Sequence, residues 1–514
     1  MLAAELVRRG ASRFANRTAV VVASKEFTFA EVDEYANRLA NALLAMGAGR
    51  GSRVGLLMDN GEWSVPLDFA CLKAGIDRVP LNSRLSVAEH ARMIADANVE
   101  VLVHSSELTG RAVELAEQRA GLRLAGLGAR ERAGDRDLVA DAFAGPATDP
   151  RVPVEPTDVV LTLYTSGTTG TLKAAQHTQA SFAAITANIL ANLMSPGRDD
   201  AMLHAASLIH ASGTFVLPFW IRGARSVVLP GFVPDQYLDA LHRHRITTAN
   251  MVPTMLGILL DTPDLDRTDL SALHTLTYGA SPIPRAMLER GLDRLGPKFV
   301  QYYGQTEAPL CQTVLTTDDH IAAGELLSSC GHPAVDAEIV LTDDAGHEVP
   351  DGEIGEIRVR APFRMAGYHN APELNAETIS EGGWLRTRDM ARKDERGYLY
   401  LVDRRSDMIV TGGYNVYPRE VEDALAAHPA VAEVAVVGAP DPTWVEAVTA
   451  FVTLRPGAGV SGEELRDAVR ATLAGYKVPK QVVVVESIPK SAVGKILRRE
   501  LRDPLWRNVS ESSD

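Results

Sequence analysis

The sequence predicts a large α/β region followed by a small α+β domain. Through residues 28–278, segments with apolar residues at helical spacing alternate with short, β-branched segments, which is typical of parallel sheets with crossover helices. After about residue 335 the segments resemble antiparallel strands separated by turns. At 514 residues the chain is too long for one ordinary core, because domains average about 150 residues.

Local signals place the elements of the first part. Thr28 followed by Glu31 predicts a capping box at a helix start. A Pro-containing stretch, 145–153, predicts a linker between subdomains. Strands are predicted at 53–58, 99–103, 159–163, 226–229, 247–252 and 275–278, and helices at 32–46, 63–74 (ending at Gly75), 181–194, 235–244 and 253–260.

The second part predicts a change of architecture. Segments 338–341, 355–360 and 397–402 predict a β-rich subdomain, and the polar stretch 403–407 predicts a hinge. The last unit shows one Gly-rich turn, two helices and several strands, and about 100 residues suffice for a small domain. We therefore expect an N-terminal region at 1–402 and a mobile C-terminal domain at 408–514, although charged stretches between strands are more often solvated turns.

Composition excludes several roles. The net charge of −14 is spread along the chain, which disfavours nucleic acid and anionic membranes as partners. The sequence contains no run of about 18 apolar residues, which argues against a membrane span. The N-terminus does not resemble a signal peptide. Cys71, Cys311 and Cys330 are odd in number and far apart, as expected of reduced thiols. We expect a cytoplasmic protein.

Residues 164–173 have the composition of a phosphate-binding loop. They follow an apolar segment and combine Gly167 and Gly170 with several hydroxyl side chains and Lys173. Glycines let backbone N–H groups approach phosphate oxygens, and the lysine supplies a positive charge. The spacing differs from that of a Walker A loop. Taken alone, such a run is more often a plain surface loop.

Four further clusters contain groups suited to nucleotide chemistry. In 301–307 an aromatic face, a hydroxyl and a carboxylate could meet a base, a phosphate and Mg²⁺, or the segment could be an ordinary core strand with a turn. In 383–389 the terminal Asp389 could accept ribose hydroxyls or cap a turn. Segment 403–422 contains a paired-glycine turn, and the basic loop 489–498 carries Lys495, which could reach a phosphate or be an exposed surface lysine.

The five clusters, in this order, resemble the adenylate-forming superfamily of acyl-CoA synthetases, luciferases and peptide-synthetase adenylation domains. The resemblance covers residues 10–500, and 403–418 is most similar to acyl- and aryl-CoA ligases. It implies a two-step ligation: a carboxylic acid reacts with ATP to give an acyl-adenylate, and CoA then displaces AMP. It also implies rotation of the C-terminal domain near Ser406 between the two steps.

The resemblance implies roles for individual residues. Tyr303 would stack on adenine, Thr306 would bind the α-phosphate and Glu307 the Mg²⁺, while Asp389 and Arg404 would bind ribose. Lys495 would stabilise the adenylation transition state. The β- and γ-phosphates would be held by Thr165, Ser166, Gly167, Thr168, Thr169, Gly170 and Lys173.

The resemblance also implies a tunnel for CoA and a pocket for the acid. Gly412 and Gly413 would line the pantetheine tunnel, and Trp444 and Arg84 would contact CoA. His210 stands where the family often places a gate beside the acyl carboxylate, although it could equally be a packed histidine. The predicted substrate pocket comprises His210, Ala211, Gly213, Gly279, Ala280 and Ser281, whose small side chains permit a bulky or cyclic acid.

Three positions depart from the family pattern. Leu172 replaces a proline, Ala174 replaces a common glycine, and Arg388 stands where the family has glycine beside the ribose-binding Asp389. Strain of about 1–3 kcal/mol at Arg388 would slow adenylation roughly ten- to hundredfold. A secondary hypothesis is therefore that acyl-adenylate comes from a separate adenylating enzyme, although the retained Lys495 argues against it.

Other functions remain open at this point. One alternative is a stand-alone adenylation enzyme that loads a carrier protein, and another is a non-catalytic acyl-adenylate-binding protein. The sequence does not name the acid, and it leaves the oligomeric state, including a homodimer, undecided.

Overall fold

A computed structural model describes residues 1–128, 135–166, 172–209, 211–281, 283–404, 407–411, 414–491 and 495–510. The α-helices in these ranges are α1 Ala3–Phe14, α2 Phe29–Ala45, α3 Ser64–Ala74, α4 Val87–Asp96, α5 Thr109–Gln118, α6 Leu138–Ala144, α7 Gln179–Asn192, α8 Val216–Arg222, α9 Pro234–Arg243, α10 Pro253–Leu260, α11 Arg285–Leu295, α12 Thr317–Ala322, α13 Pro372–Thr378, α14 Pro418–Ala426, α15 Gly462–Arg470 and α16 Arg498–Ser510.

The strands are β1 Thr18–Val22, β2 Lys25–Thr28, β3 Arg53–Leu57, β4 Asp77–Pro80, β5 Val101–Ser105, β6 Arg123–Leu127, β7 Arg136–Asp137, β8 Val159–Ser166, β9 Leu172–Thr178, β10 Ala201–His204, β11 Arg225–Val228, β12 Thr248–Met251, β13 Thr275–Tyr278, β14 Phe299–Gln305, β15 Ala308–Leu315, β16 His332–Pro333, β17 Glu338–Thr342, β18 Ile354–Arg360, β19 Gly367–Tyr368, β20 Leu385–Lys393, β21 Leu399–Arg404, β22 Ile409–Thr411, β23 Tyr414–Val416, β24 Val431–Asp441, β25 Val445–Leu454 and β26 Gln481–Val484.

Two large sheets dominate the part before residue 335. One has the strand order β16-β15-β14-β13-β12-β10-β11-β1-β2, with parallel pairing from β14 through β1. The other has the order β19-β9-β8-β4-β3-β5-β6-β7, with parallel pairing from β8 through β7. The predicted α/β class with parallel sheets is confirmed.

The largest apolar core lies between the two sheets. Residues of α1, α3, α7 and α8 share one cluster with side chains from both sheets, including Val54 and Val103 on one and Val20 and Met202 on the other. Separate clusters cover the outer faces, with α9–α11 on the first sheet and α4 and α5 on the second. Burying both faces of each sheet explains why its strands are almost continuously apolar.

The predicted ends of two helices are confirmed. Thr28 and Glu31 form the predicted capping box at the start of α2. Gly75 ends α3 with a φ of 67°, a left-handed conformation that glycine adopts readily.

The predicted linker at 145–153 does not separate two subdomains. The strands before it, β3–β7, and the strands after it, β8 and β9, belong to the same sheet. Within the stretch, Asp149 accepts hydrogen bonds from Arg8 of α1, and its carboxylate lies 3.8 Å from Lys73 of α3. Proline content indicated the break in regular structure, but ion pairs dock the stretch on the N-terminal helices.

The β-rich subdomain and the C-terminal unit form two smaller sheets. Strands β17, β18, β20 and β21 pair antiparallel in that order. Three of them, β17, β18 and β21, correspond to the predicted segments, whereas β20, which lies between β18 and β21 in the sheet, was not predicted as a strand. The C-terminal sheet contains β23, β22, β25, β24 and β26. This unit has three α-helices, α14, α15 and α16, among the described residues, so the prediction of two was wrong. Pro504 lies inside α16, where a proline is unfavourable and weakens the helical pattern of the sequence.

Candidate active site

The described residues at the two ends of the predicted phosphate loop belong to the antiparallel strands β8 and β9. Strands β8 and β9 pair antiparallel, with Thr165 opposite Lys173 and Ser166 opposite Leu172 at the end of the ladder. Gly167, Thr168, Thr169 and Gly170 lie outside the described residues. The hairpin lies near one edge of the eight-stranded sheet, and close to its loop end the Tyr164 hydroxyl donates to Asp96, 2.6 Å away.

His177 connects this hairpin to the second motif. It lies on β9, and its Nε2 is 2.8 Å from the backbone carbonyl of Thr306, which can only accept. Burial lowers the pKa of His177 to about 4, so the ring is neutral and Nε2 carries the proton. This side chain therefore links the β8–β9 hairpin directly to the Thr306–Glu307 segment.

Tyr368 holds the carboxylate of Glu307. Its hydroxyl donates to Glu307 Oε1 at 2.5 Å, and the Met365 N–H donates to the Glu307 carbonyl at 2.7 Å. Tyr368 lies on β19, which pairs with Ala175 of β9. The carboxylate predicted to bind a metal is thus attached to the same hairpin as the predicted phosphate loop.

Tyr303 and Asp389 meet although 86 residues separate them. The Tyr303 hydroxyl donates to Asp389 Oδ2 at 2.7 Å, and both residues are buried. Burial, and next the charge of Asp389, raise the pKa of Tyr303 well above its usual value, so the phenol remains a donor. Arg404 stands opposite Asp389 in the β20–β21 ladder. The predicted base-binding and ribose-binding residues are therefore neighbours.

The departure at Arg388 coincides with unusual backbone. Arg388 has a φ of 63°, and β20 bulges against β18 at this point. A left-handed conformation costs a residue with a Cβ about 1–2 kcal/mol. The side chain, 45 % exposed, lies 3.6 Å from Glu377. Glycine would adopt this backbone without that cost, which gives the family pattern a physical reason.

The carboxylate of Glu356 stabilises the bulge through hydrogen bonds. It is 1 % exposed and accepts from Arg386 Nη2 at 2.6 Å and from the Arg388 backbone N–H at 3.2 Å. The Thr387 hydroxyl accepts from the Asp389 N–H at 3.1 Å. These bonds satisfy the backbone groups that the bulge removes from the sheet ladder and orient Asp389.

The predicted acid-pocket segments lie near the carboxyl ends of parallel strands. Ala211 and Gly213 belong to a 3₁₀ turn, Ala211–Phe215, after β10. Gly279, Ala280 and Ser281 follow β13, and Ala280 has a φ of 67°. A Cβ on Gly279 would stand 2.4 Å from the Tyr302 carbonyl oxygen, so this backbone contact requires glycine. His210 lies outside the described residues.

The remaining predicted residues are spread over both parts of the chain. Trp444 is 42 % exposed, and Lys480 Nζ lies 4.7 Å from its ring centroid. The Lys495 carbonyl accepts from the Ser491 N–H at 2.7 Å. The Arg84 N–H donates to Asn82 at 3.0 Å. Gly412 and Gly413 lie outside the described residues.

Three residues that hold groups of the site in place were not predicted from the sequence: His177, Tyr368 and Glu356. His177 lies four residues beyond Lys173, so its proximity to the loop was visible, but its contact with Thr306 spans 129 residues. Tyr368 and Glu356 stand in segments without a chemical pattern of their own. Their roles follow from strand pairing, which local sequence does not specify.

Comparison with known proteins identifies relatives along nearly the whole chain. A model of the AMP-binding enzyme family matches residues 7–369, and a model of the AMP-binding enzyme C-terminal domain matches residues 420–495.

Two curated relatives are close in sequence. A medium/long-chain-fatty-acid–CoA ligase, FadD8, of Mycobacterium tuberculosis is 38 % identical, over 97 % of this chain and 89 % of the relative. A feruloyl-CoA synthase of an Amycolatopsis species is 39 % identical, over 94 % of this chain and 95 % of the relative.

A solved structure shows the same fold. The amide bond synthetase McbA of Marinactinospora thermotolerans is similar with a TM-score of 0.89 and 34 % identity, covering 98 % of this chain and 99 % of that one.

Proposed function

This chain belongs to the AMP-binding enzyme family as an AMP-forming acyl-CoA ligase, and we propose that the residues described above carry out both half-reactions. One observation supports this assignment of residues most strongly. The β8–β9 hairpin, the 303–307 segment, Tyr368 and Asp389 are joined by direct hydrogen bonds although they are far apart in sequence.

In the first half-reaction a carboxylate oxygen of the acid attacks the α-phosphorus of ATP. A P–O bond forms to the acid, the bond to the bridging oxygen breaks, and pyrophosphate leaves. Residues 165–170 and Lys173 would hold the β- and γ-phosphates, and Thr306 would donate to the α-phosphate. Lys495 would oppose the negative charge that develops on the transferring group.

A magnesium ion fits this arrangement. Mg²⁺ is usually held by one or two carboxylates together with substrate phosphates, where it neutralises phosphate charge. Among the described residues no group of three or more His, Cys, Asp or Glu side chains could hold a metal by itself. Glu307 would supply the protein ligand, and Tyr368 leaves the second carboxylate oxygen, Oε2, in a fixed direction.

The nucleoside would lie against Tyr303 and the Asp389–Arg404 pair. Asp389 would accept the ribose hydroxyls, and the Tyr303 ring would contact adenine. Because Tyr303 and Asp389 share a hydrogen bond, the base and ribose positions are coupled. The strain at Arg388 acts beside this pair, and we propose that it slows adenylation without abolishing it.

In the second half-reaction the CoA thiol attacks the acyl carbon of the adenylate. A C–S bond forms, the acyl–phosphate bond breaks, the thiol proton is lost to solvent, and AMP leaves. We propose residues 403–407 as the hinge for this step, with Gly412 and Gly413 entering the site. The exposed Trp444 ring beside the Lys480 ammonium offers a stacking surface and a positive charge, which suit the adenine and phosphates of CoA; Arg84 would add a second contact.

We propose only a class of acid, and the names of the relatives are the basis for it. They are named for fatty acids and for a hydroxycinnamic acid, feruloyl. We therefore propose an aryl or medium-chain acid as substrate.

A cytoplasmic location is kept as part of the proposal. The three cysteines are buried and form no disulfides, as expected in a reducing compartment. No helix within the described ranges is long and apolar enough to cross a membrane.

The test is a product balance. Purified enzyme is incubated with ATP, CoA and a panel of aryl and fatty acids, and AMP, pyrophosphate and acyl-CoA are measured together. Equal amounts of all three products support the proposal. A product that forms with carrier protein or an amine but not with CoA contradicts it, as does acyl-CoA formed only when acyl-adenylate is supplied.

A further inference from the structure

A buried carboxylate binds the β8–β9 hairpin from a neighbouring strand. Asp77 is the first residue of β4 and is 2 % exposed, and its Oδ2 accepts from the Thr162 hydroxyl of β8 at 2.7 Å. Strands β4 and β8 are neighbours in the eight-stranded sheet, where Arg78 is paired with Leu161. A side chain therefore attaches the hairpin to the rest of the sheet in addition to the backbone pairing.

The carboxylate determines the direction of the hydrogen bonds that follow from it. Burial raises the pKa of Asp77 to about 6, so at neutral pH the group is ionised and can only accept. The single hydroxyl proton of Thr162 is donated to Asp77, so the hydroxyl oxygen accepts from Gln176 Nε2 at 3.2 Å. The side chains of Asp77, Thr162 and Gln176, here called the Asp77 row, thus connect the adjacent strands β4, β8 and β9.

The carboxylate of Asp77 is unfavourable to bury. Its second oxygen, Oδ1, is fully buried and accepts from no described residue. The Nε of Arg53 lies 3.3 Å from Oδ2 but forms no hydrogen bond within the described ranges. Because a buried anion with one unsatisfied oxygen lowers stability, a contribution to stability does not by itself account for Asp77.

The Asp77 row ends on the strands that carry the proposed site. Thr162 and Gln176 are opposite each other in the β8–β9 ladder, which continues for four more residue pairs to Ser166. On its other side β9 pairs with β19, where Gln176 is opposite Gly367. Tyr368, the next residue, holds the proposed magnesium ligand. The row therefore acts on the strand pair that supports both the phosphate-binding residues and the magnesium ligand.

We propose that Asp77 and Thr162 are positioning residues for the binding of the β- and γ-phosphates of ATP. This inference rests on the proposed function, because it takes residues 165–173 as the phosphate-binding segment. The Asp77 row holds the two strands in place, so their loop-side ends are preorganised before the nucleotide binds. Without the row, ordering of these ends would oppose ATP binding. AMP lacks the two phosphates, so its binding should not depend on the row.

The test compares a nucleotide that carries these phosphates with one that does not. Dissociation constants of α,β-methylene-ATP, which cannot transfer its adenylyl group, and of AMP are measured by titration calorimetry with Mg²⁺ at neutral pH. The ratio of the two constants reports on the β- and γ-phosphates, because both ligands share the base and the ribose. Thr162→Val is nearly isosteric and should weaken binding of α,β-methylene-ATP relative to AMP about tenfold.

Substitutions at Asp77 distinguish its hydrogen bond from its volume. Asp77→Leu should give the same loss as Thr162→Val, whereas Asp77→Asn should restore most of it, because the amide oxygen still accepts from the Thr162 hydroxyl. If Asp77→Leu does not fold, the result for Thr162→Val decides. AMP binding by each variant shows that it is folded.

Thr109→Val is the matched control. Thr109 is 3 % exposed, and its hydroxyl donates to the Ser106 carbonyl at 2.8 Å at the start of α5, outside the Asp77 row. This variant should leave the ratio unchanged even if it lowers the free energy of unfolding.

An unchanged ratio in Thr162→Val would overturn the inference, as would an equal shift in Thr109→Val or an Asp77→Asn variant as impaired as Asp77→Leu. The proposed function has a separate readout, acyl-CoA formation by the wild type. Acyl-CoA formation by the wild type with an unchanged ratio in the variants removes the role of the Asp77 row alone. A shifted ratio without acyl-CoA formation by the wild type supports the role of the row and contradicts the proposed function.

Discussion

Arg388 is the residue at which sequence and backbone disagree most directly. Its φ of 63° suits glycine, and its N–H is held by the buried Glu356. The bulge is therefore maintained by its surroundings rather than by the residue itself. Strain beside Asp389 would affect nucleotide binding, because Asp389 is the proposed ribose ligand.

Replacement of Arg388 by glycine should speed adenylation. Relief of about 1.4 kcal/mol of strain or misplacement corresponds to about a tenfold faster acid-dependent exchange of pyrophosphate into ATP. Arg388→Ala is the matched control, because it removes the guanidinium but keeps the Cβ. If both variants gain equally, the side chain and not the backbone is responsible; if neither gains, the strain does not limit adenylation.

Tyr368→Phe should weaken magnesium use. Without the hydroxyl, the Glu307 carboxylate loses the donor that orients it, and we expect the Mg²⁺ concentration for half-maximal adenylation to rise severalfold. Tyr398→Phe is a matched control, because the Tyr398 hydroxyl also donates to a carboxylate, Asp319, at 2.5 Å. An equal magnesium response of the two variants would show that Tyr368 has only a structural effect.

At the scale of elements, the β8–β9 hairpin connects the parts of the site. It carries residues of the phosphate loop at its tip, pairs with β19 along one edge and reaches Thr306 through His177. A displacement of this hairpin would therefore move the phosphate-binding groups and Glu307 together.

Two substitutions separate the roles of His177. His177→Gln retains an N–H donor for the Thr306 carbonyl, whereas His177→Leu does not. We expect Leu to lower kcat for adenylation about tenfold or more and Gln to restore most of it, with similar KM for the acid. Equal kcat in the two variants would contradict a positioning role.

The same variants test the pH dependence of stability. Burial lowers the pKa of His177 from 6.5 to about 4, so the unfolded chain binds more protons in this range. The stabilising contribution of the neutral ring is present above pH 6.5 and is lost as pH falls towards 4. The buried Asp77 acts in the opposite direction, because burial raises its pKa to about 6.

The difference between wild type and His177→Gln isolates the histidine. Denaturant unfolding at pH 7.5 and pH 5 should show a smaller loss of unfolding free energy in the glutamine variant than in the wild type. A loss of the same size in both proteins would show that His177 does not contribute.

A buried lysine joins the N-terminal helices. Lys73 of α3 is fully buried and donates to Asp33 at 2.5 Å and to Asn37 at 2.7 Å, both on α2. Lys73→Met should lower the free energy of unfolding by about 3–5 kcal/mol, because it leaves carboxylates without their partner. Denaturant unfolding measures this loss, and the acid preference of the folded variant should not change. A loss below about 1 kcal/mol would contradict it.

At the scale of the whole molecule, periodic segments and ordered motifs predicted most of the fold. The alternation of strand and helix patterns predicted the parallel sheets, and the clusters 164–173 and 303–307 indicated the family. The docking of 145–153 and the contacts of Tyr368 and Glu356 were not predictable. They depend on pairing between distant segments, whereas sequence patterns report mainly the local periodicity of burial.

The positive φ at Arg388 is an intermediate case. The family pattern indicated that glycine belongs there, and the sequence therefore suggested a backbone reason. Only the structure shows the left-handed conformation and the carboxylate that holds it.

We propose that one site performs two chemically distinct steps, and a substitution at Lys495 distinguishes between them. For Lys495→Ala, acyl-CoA formation is measured from acid, ATP and CoA, and in parallel from synthetic acyl-adenylate and CoA. We expect a loss of about a hundredfold or more in the first assay and a change of less than about threefold in the second, because Lys495 would act on the transferring phosphate only during adenylation. An equal loss in both assays, or no loss in the first, would contradict it.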